Sequence, residues 1–349
     1  KYYQQEDLYQ YNPAYSRQSE VQLFFAENRN LKKQQEFDCR IRASSRKTNG
    51  ELTDSWSKFP VLTYIDINTN LGEINKLINF KNIMYGFQNN GTGIASIDDR
   101  SIVQSTTTNN IVLGNGDVLQ RYDYLSMNAG TKHQFSVIPS EDAIYFFDST
   151  DRQIKMISGD SGSISDSFGM KSYIYNNTDG LLLSNDNPYS GFGVNGYYDD
   201  RYNEVVMSFH KGLTRENGVF ISDYFTISFN EALKAFTGFY SFASLIYIRH
   251  YSKIFSTDRE SKLFNTNSDA IYLHNFGNYN TFYENKYKSK INLVVNDNYA
   301  YIKVFDSILW ECDVDDISNN MLENFFKYIR CFNNYQNTDW HELVFNTTP

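Results

Sequence analysis

Ala143-Ile144-Tyr145-Phe146-Phe147-Asp148, then Ser149-Thr150-Asp151-Arg152, then Gln153-Ile154-Lys155-Met156-Ile157, decides the fold class of this chain. Two short runs of aromatic and β-branched residues flank four polar residues that favour turns, which is the pattern of an antiparallel hairpin. The pattern is found on both sides of that stretch. Ile83-Met84-Tyr85-Gly86-Phe87 leads through Gln88 to Gly93 into Ile94-Ala95-Ser96-Ile97-Asp98, and Tyr85 lies sixty residues before Tyr145. Sixty-one residues after Tyr145, Glu204-Val205-Val206-Met207-Ser208-Phe209 leads through a longer loop into Asp223-Tyr224-Phe225-Thr226-Ile227-Ser228-Phe229. Leu245-Ile246-Tyr247-Ile248, Lys253-Ile254-Phe255-Ser256 and Ala270-Ile271-Tyr272-Leu273-His274 supply a further set of strands.

A recurring strand, turn and strand is how propeller blades appear in sequence. The expectation is a mainly β chain of β-propeller-like antiparallel hairpins, incomplete within this chain if blades lie elsewhere, with a few short helices. Hairpins at irregular spacing also fit a β-sandwich or another meandering sheet. Helices are expected at 230–236, where Asn230 stands at the N-cap, and at 318–330, where Met321, Leu322, Phe325, Phe326 and Ile329 share a face. Lys290-Ile291-Asn292-Leu293-Val294-Val295-Asn296 and Tyr301-Ile302-Lys303-Val304-Phe305-Asp306 suggest an extra antiparallel β unit near the C-terminus. Three segments follow: an N-terminal arm or connector over 1–58, a propeller-like β domain over 59–286, and a C-terminal β/helix segment over 287–349.

Composition supports a strand-and-turn protein. Among 349 residues stand 28 Tyr, 27 Phe and 3 Trp, ample ring area for a core. There are 39 Asn against 5 Pro and 19 Gly, so turns must rely on Asn and Asp adopting left-handed backbone conformations. A net charge of -9 is opposite to the basic footprint of a protein that grips phosphate backbones, although it suits the wall of a channel through which DNA slides. Cys39, Cys312 and Cys331 form neither a CxxC pair nor an even set, so they read as free thiols. No apolar run approaches a membrane span, and Lys1-Tyr2-Tyr3-Gln4-Gln5 is too polar for a signal peptide. Lys1 in place of Met raises the expectation that an upstream portion exists.

The chemical motifs lead nowhere catalytic. Gly159-Asp160-Ser161-Gly162 spells a serine-protease nucleophile inside a polar loop without that family's other landmarks. Asp66-Ile67-Asn68-Thr69-Asn70-Leu71-Gly72-Glu73 resembles half a calcium loop, but Leu77 occupies the position of the bidentate Glu. His133, His210, His250, His274 and His341 are scattered and never spaced as metal ligands. Asp98-Asp99, Asp199-Asp200 and Asp315-Asp316 could serve glycoside hydrolysis, yet adjacent pairs arise by chance among 41 acids. The aromatic groups at Tyr197-Tyr198, Phe236 to Phe242 and Tyr279 to Tyr287 are core, interface anchors or sugar-stacking platforms. No catalytic, cofactor-binding or metal site is assigned and no enzyme activity is expected.

From about residue 140 the chain resembles the tail muzzle, or stabilisation, proteins of crAss-like bacteriophages, which are similar in role to the tail nozzle and packaged-DNA stabilisation proteins of short-tailed phages. Besides 143–148, the likeness is carried by Ser165-Asp166-Ser167-Phe168-Gly169-Met170-Lys171-Ser172-Tyr173 and Tyr202-Asn203-Glu204-Val205-Val206-Met207-Ser208-Phe209. Thr226-Ile227-Ser228-Phe229-Asn230-Glu231, Ala235-Phe236-Thr237-Gly238-Phe239-Tyr240-Ser241-Phe242, Tyr272-Leu273-His274-Asn275-Phe276-Gly277-Asn278-Tyr279 and Asn334-Tyr335-Gln336-Asn337-Thr338 add to it. Residues 1–58 match only in general character, through Tyr11-Asn12-Pro13-Ala14-Tyr15-Ser16. Members of the family are usually much longer, so the resemblance implies a C-terminal fragment of a precursor. It implies a structural virion protein in the tail, forming a homo-oligomeric ring, six-fold by analogy with the nozzle, at the distal end. That ring would close or line the exit channel for DNA and ejected cargo. The implied partners are other copies of the chain, the N-terminal half of the precursor, and neighbouring hub and fibre proteins, with no specific nucleic-acid binding and no membrane span. The rival expectation is a glycan-binding propeller for host attachment, with Tyr197, Tyr198 and Tyr279 stacking on sugars.

Overall fold

Strand Ile144–Asp148 pairs antiparallel with Gln153–Ser158, Ile144 opposite Ile157 and Asp148 opposite Gln153. The turn between them is built by Asp148, whose carboxylate accepts from the backbone N–H groups of Thr150 at 2.9 Å and Asp151 at 3.3 Å. Arg152 closes it in the left-handed region at φ 52°. The decisive hairpin is therefore present with the turn chemistry its residues call for.

In this computed structural model the described residues are 37–45, 47, 50, 55–96, 101–104, 110–113, 119, 121–158, 160–181, 192–216, 219–258, 270–295, 301–302, 304, 307–308 and 326–343. The chain divides into two units, Lys1–Ser289 and Lys290–Pro349. The first is a succession of antiparallel sheets. The pair Arg40–Arg42 and Tyr64–Asp66 comes first. The first four-stranded sheet holds Ile74–Phe80, Ile83–Gln88, Thr92–Ser96 and Arg121–Ser126, with the separate hairpin Ser101–Gln104 and Asn110–Leu113 inserted before its last strand. The second sheet is Ile138–Pro139, Ile144–Asp148, Gln153–Ser158 and Asp160–Ser163. The third is Phe192–Asp199, Glu204–Glu216, Val219–Asn230 and Ala235–Tyr240, and the fourth is Ser244–His250, Lys253–Asp258 and Ile271–Leu273. Within each, neighbouring strands follow one another along the chain, except that the inserted hairpin separates the last two strands of the first sheet. Two short helices, Ile164–Ser167 and Lys171–Asn177, follow the second sheet; Ser163 caps the former by accepting from the Asp166 N–H.

The sheets stack face to face in chain order because strands alternate their side chains between two buried faces. Ile144 and Phe146 join Tyr85, Phe87 and Ile157 in the core between the first and second sheets. Tyr145 and Phe147 point the other way, into a core shared with Val194, Val205, Met207, Phe209 and Ile227 of the third. The third sheet repeats the division: Val194 and Tyr198 face the second sheet, whereas Tyr197 meets Ile254 and Tyr247 of the fourth. An aromatic pair fills each gap: Phe87 with Phe146 at 5.2 Å, Phe147 with Phe209 at 5.2 Å, and Tyr197 with Tyr247 at 4.7 Å. Gly196 belongs to this close packing, since a Cβ there would lie 2.3 Å from the Val206 carbonyl oxygen and 2.5 Å from Ile138. A central strand hidden on both faces explains why 144–148 is a continuous apolar run rather than an alternating one.

The mainly β reading holds, and four local expectations are corrected. The segment 230–236 is no helix: Asn230 ends a strand, its Oδ1 accepts from the Leu233 N–H in a turn, Lys234 takes φ 51°, and Ala235–Tyr240 returns as a strand. The longer loop expected after Phe209 is instead the continuation of two long strands, paired as far as Glu216 opposite Val219. Of 318–330, residues 318–325 lie outside the described residues, and Tyr328–Ile329 is a strand paired with His341–Glu342. The antiparallel pair expected at 290–296 and 301–306 is absent from the described residues there, 290–295, 301–302 and 304, which carry no strand.

Candidate functional site

The richest polar cluster forms where the third and fourth sheets meet, because small hydroxyl residues on their facing strands leave room for ring side chains. Ser208 Oγ lies 2.8 Å from Thr226 Oγ1 and 2.8 Å from the Tyr247 hydroxyl, and Thr226 donates to the Phe242 carbonyl. Ser256 Oγ lies 2.8 Å from the Tyr283 hydroxyl and also contacts His274 Nε2. Tyr197, Phe242 and Tyr247 surround the His274 ring at 5.4 to 5.9 Å. Asp199 accepts from Asn275 Nδ2 at 2.6 Å and from the Arg201 N–H at 3.0 Å, and its neighbour Asp200 pairs with Arg249 at 3.2 Å.

A serine against a histidine is the beginning of a nucleophile and base pair. Three features turn it into structure here. The Ser256 hydroxyl is buried and shared with Tyr283, so no substrate carbonyl can approach it. The nearby Asp199 spends its oxygens on Asn275 and a backbone N–H rather than orienting the imidazole. Burial also depresses the His274 pKa to about 4, which favours a neutral ring at pH 7. The cluster satisfies buried polar groups between two sheets.

A second cluster sits under the decisive turn. Lys155 Nζ donates to Asp148 Oδ2 at 2.7 Å and to Asp151, and Asp148 is almost wholly buried. Burial raises the Asp148 pKa and the Lys155 hydrogen bond offsets this only in part; on Lys155 burial acts downward, but the two carboxylates outweigh it and raise its pKa. Removing the cation would strand a buried carboxylate. We expect Lys155→Ala to cost about 3 kcal/mol at pH 7, toward the lower end for such pairs because Asp151 keeps its water. Urea unfolding measures it, and an unchanged midpoint would show the ion pair to be dispensable.

The residues singled out in the sequence lie apart. Tyr197 and Tyr198 are 7% and 2% exposed, and being adjacent in one strand they enter opposite cores, so neither can stack on a sugar. Tyr279 alone is open, at 72%. Asp66 is held in a two-point ion pair with Arg40, at 2.6 and 2.7 Å, and Asn68 caps the turn Thr69–Leu71, so the calcium-loop residues are used in structure. Asp160-Ser161-Gly162 runs along an edge strand. His133 and His210 are buried, and among the described residues no group of His, Cys, Asp and Glu gathers as metal ligands. Asp98, Asp99, Asp315, Asp316 and Cys312 lie outside the described residues. Cys39 is buried and Cys331 exposed, both as thiols. No helix among the described residues is long and apolar enough to cross a membrane. Sequence reading missed Lys155; its signal was a lysine inside a buried apolar strand, which requires a partner. Ser256 and Tyr283 carried no signal at all.

The chain matches two sequence families. The family described as Crassvirus muzzle protein matches residues 1–260, and that described as Crassvirus muzzle protein C-terminal domain matches residues 277–346. A curated relative, the muzzle protein of Bacteroides phage crAss001, is 22% identical over 326 residues, covering 93% of this chain. The chain spans 22% of that relative's length.

Proposed function

The chain belongs to the Crassvirus muzzle protein family, and from that membership we propose that it is a structural component of a phage virion, assembling as a closed ring at the distal end of the tail. In this reading the four stacked sheets are blades of a propeller-like domain, and the ring of copies closes or lines the channel through which DNA and ejected cargo leave. The observation that carries it is the stacking itself. The second and third sheets bury both faces of their inner strands against their neighbours in chain order, through cores of large aromatic and aliphatic side chains. Ring closure requires a head-to-tail contact that repeats, and a six-fold array satisfies it. The net charge of -9 suits a wall past which DNA slides without sticking.

The partners in this reading are further copies of the chain, the remainder of a longer precursor, and neighbouring hub and fibre proteins. Cryo-electron microscopy of the native particle tests it. The expected result is a closed ring of this chain on the tail axis; copies found only off that axis, or as single subunits, would overturn it.

A further inference from the structure

The surroundings of Lys155 hold more than an ion pair needs. Phe146 lies opposite Lys155 and Asp148 opposite Gln153, so Asp148 and Lys155 stand diagonally across the paired strands on the face that carries the buried Phe146 ring. There Lys155 Nζ is 2.7 Å from Asp148 Oδ2, with Asp148 1% and Lys155 9% exposed. The same Nζ contacts the Asp151 carboxylate, which is half in water. The second oxygen of Asp148, Oδ1, accepts from the backbone N–H groups of Thr150 and Asp151, and the Gly130 N–H is directed at Oδ2 from 3.4 Å.

These are the parts of an acyl transfer: an amine, a carboxyl group beside it, a carboxylate in contact with the amine to move protons, and two N–H groups on the oxygen where charge would develop. We propose that Lys155 and Asp148 condense to an isopeptide bond that closes the 144–158 hairpin covalently. Asp151 takes a proton from the Lys155 ammonium, and the freed lone pair attacks Asp148 Cγ. As the Nζ–Cγ bond forms, negative charge on Oδ1 is held by the Thr150 and Asp151 N–H groups. The Cγ–Oδ2 bond then breaks, and Oδ2 leaves as water with the proton held by Asp151 and a second proton from Nζ. One ammonium and one carboxylate become one neutral amide and one water, Asp151 ends as it began, and nothing is oxidised or reduced.

The dry site favours the product. Condensation replaces two buried charges by a neutral group, so the desolvation that opposes the ion pair drives the reaction forward. Burial, which raises the Asp148 pKa, also favours the uncharged carboxyl that an amine attacks. The step lies within one chain and does not depend on the ring.

Denaturing mass spectrometry of the full chain tests it, because unfolding separates an ion pair and leaves an amide intact. The chain is expected to be lighter by one water than its sequence requires, and trypsin should leave Lys155 uncut and joined to the peptide that ends at Arg152. Lys155→Arg keeps a cation in place but should show the full mass. Asp151→Asn, at a half-exposed position, should fold and form the link about 100-fold more slowly. A wild-type chain of full mass that trypsin cuts after Lys155 would show an ion pair alone and overturn the proposal. A lost water that maps elsewhere, or that persists in Lys155→Arg, would overturn it as well, and equal rates in Asp151→Asn and wild type would overturn the proton transfer assigned to Asp151.

Discussion

Lowering the pH from 7.5 to 4 is expected to remove about 5 kcal/mol of stability through two histidines, His133 and His274, beyond whatever the carboxylates contribute. Both are neutral in the fold for the same reason. His133 is wholly buried between Phe147 at 5.8 Å and Phe192 at 6.2 Å; its Nε2 is 3.4 Å from the Leu181 carbonyl and its Nδ1 has no hydrogen-bond partner. Burial brings its pKa to about 4, opposed by the Leu181 carbonyl contact and aided to a lesser degree by the charge of neighbouring Lys132. His274 is also brought to about 4 by burial, opposed by Asp199.

The sign follows from which state takes protons first. An unfolded histidine titrates near 6.5, so between 6.5 and 4 the unfolded chain binds protons that the folded chain refuses, and folding free energy is lost as pH falls. Stability from these groups is full above about 6.5 and is exhausted below about 4. A tenfold difference in proton affinity between the folded and unfolded chain corresponds to about 1.4 kcal/mol, hence about 3 kcal/mol for His133 and somewhat less for His274, which sits nearer solvent. Urea titrations at half-unit pH steps measure the slope. His133→Gln with His274→Gln should be less stable at pH 7.5 but flatter across the window; a double variant as steep as the wild type would contradict the assignment.

Part of this fold is readable in the sequence alone. The hairpin at 144–157 is legible because apolar run, Asx-forming turn and return run all agree. Asparagine and aspartate supply left-handed positions at Asn82, Asn203, Asn275, Asn280 and Asp339, but among the described residues Lys81, Arg152, Lys234, Tyr251, Tyr283 and Glu284 take the same conformation, so the turns rely on Asn and Asp only in part. Asn230 misleads for a physical reason: the side-chain bond that caps a helix also closes a hairpin turn, and only the packing of Phe236 on Phe229, 5.2 Å apart across the returning strand, decides between them. Tyr197 and Tyr198 mislead because adjacency in sequence suggests a shared surface, whereas strand pleating sends them to different cores. The Ser256, His274 and Tyr283 contacts span 18 and 27 residues and depend on sheet register, which no local pattern encodes.

The largest single-residue effect is expected at Phe209. Its ring is fully buried, stacks on Phe225 with centroids 4.5 Å apart and planes 8° apart, and meets Phe147 edge-on at 5.2 Å and 90°. It thus links the third sheet to the central strand of the second. Truncation loses ring transfer energy and leaves a cavity that the paired strands on both sides prevent from collapsing, so Phe209→Ala should cost about 4 kcal/mol. Phe209→Leu keeps most of the volume and should cost roughly 1.5 kcal/mol. Phe239→Ala is the control: the same chemical change at a ring more than half exposed, in contact with Tyr173 at 5.1 Å, should cost under about 1 kcal/mol. Equilibrium unfolding of the three variants orders them. Were Phe209→Ala no worse than Phe239→Ala, the second and third sheets would not share a core. The stacked architecture would then lose the contact on which the proposed blade arrangement depends, because a sheet with one dry face free of its neighbour has no reason to keep Tyr145 and Phe147 out of water.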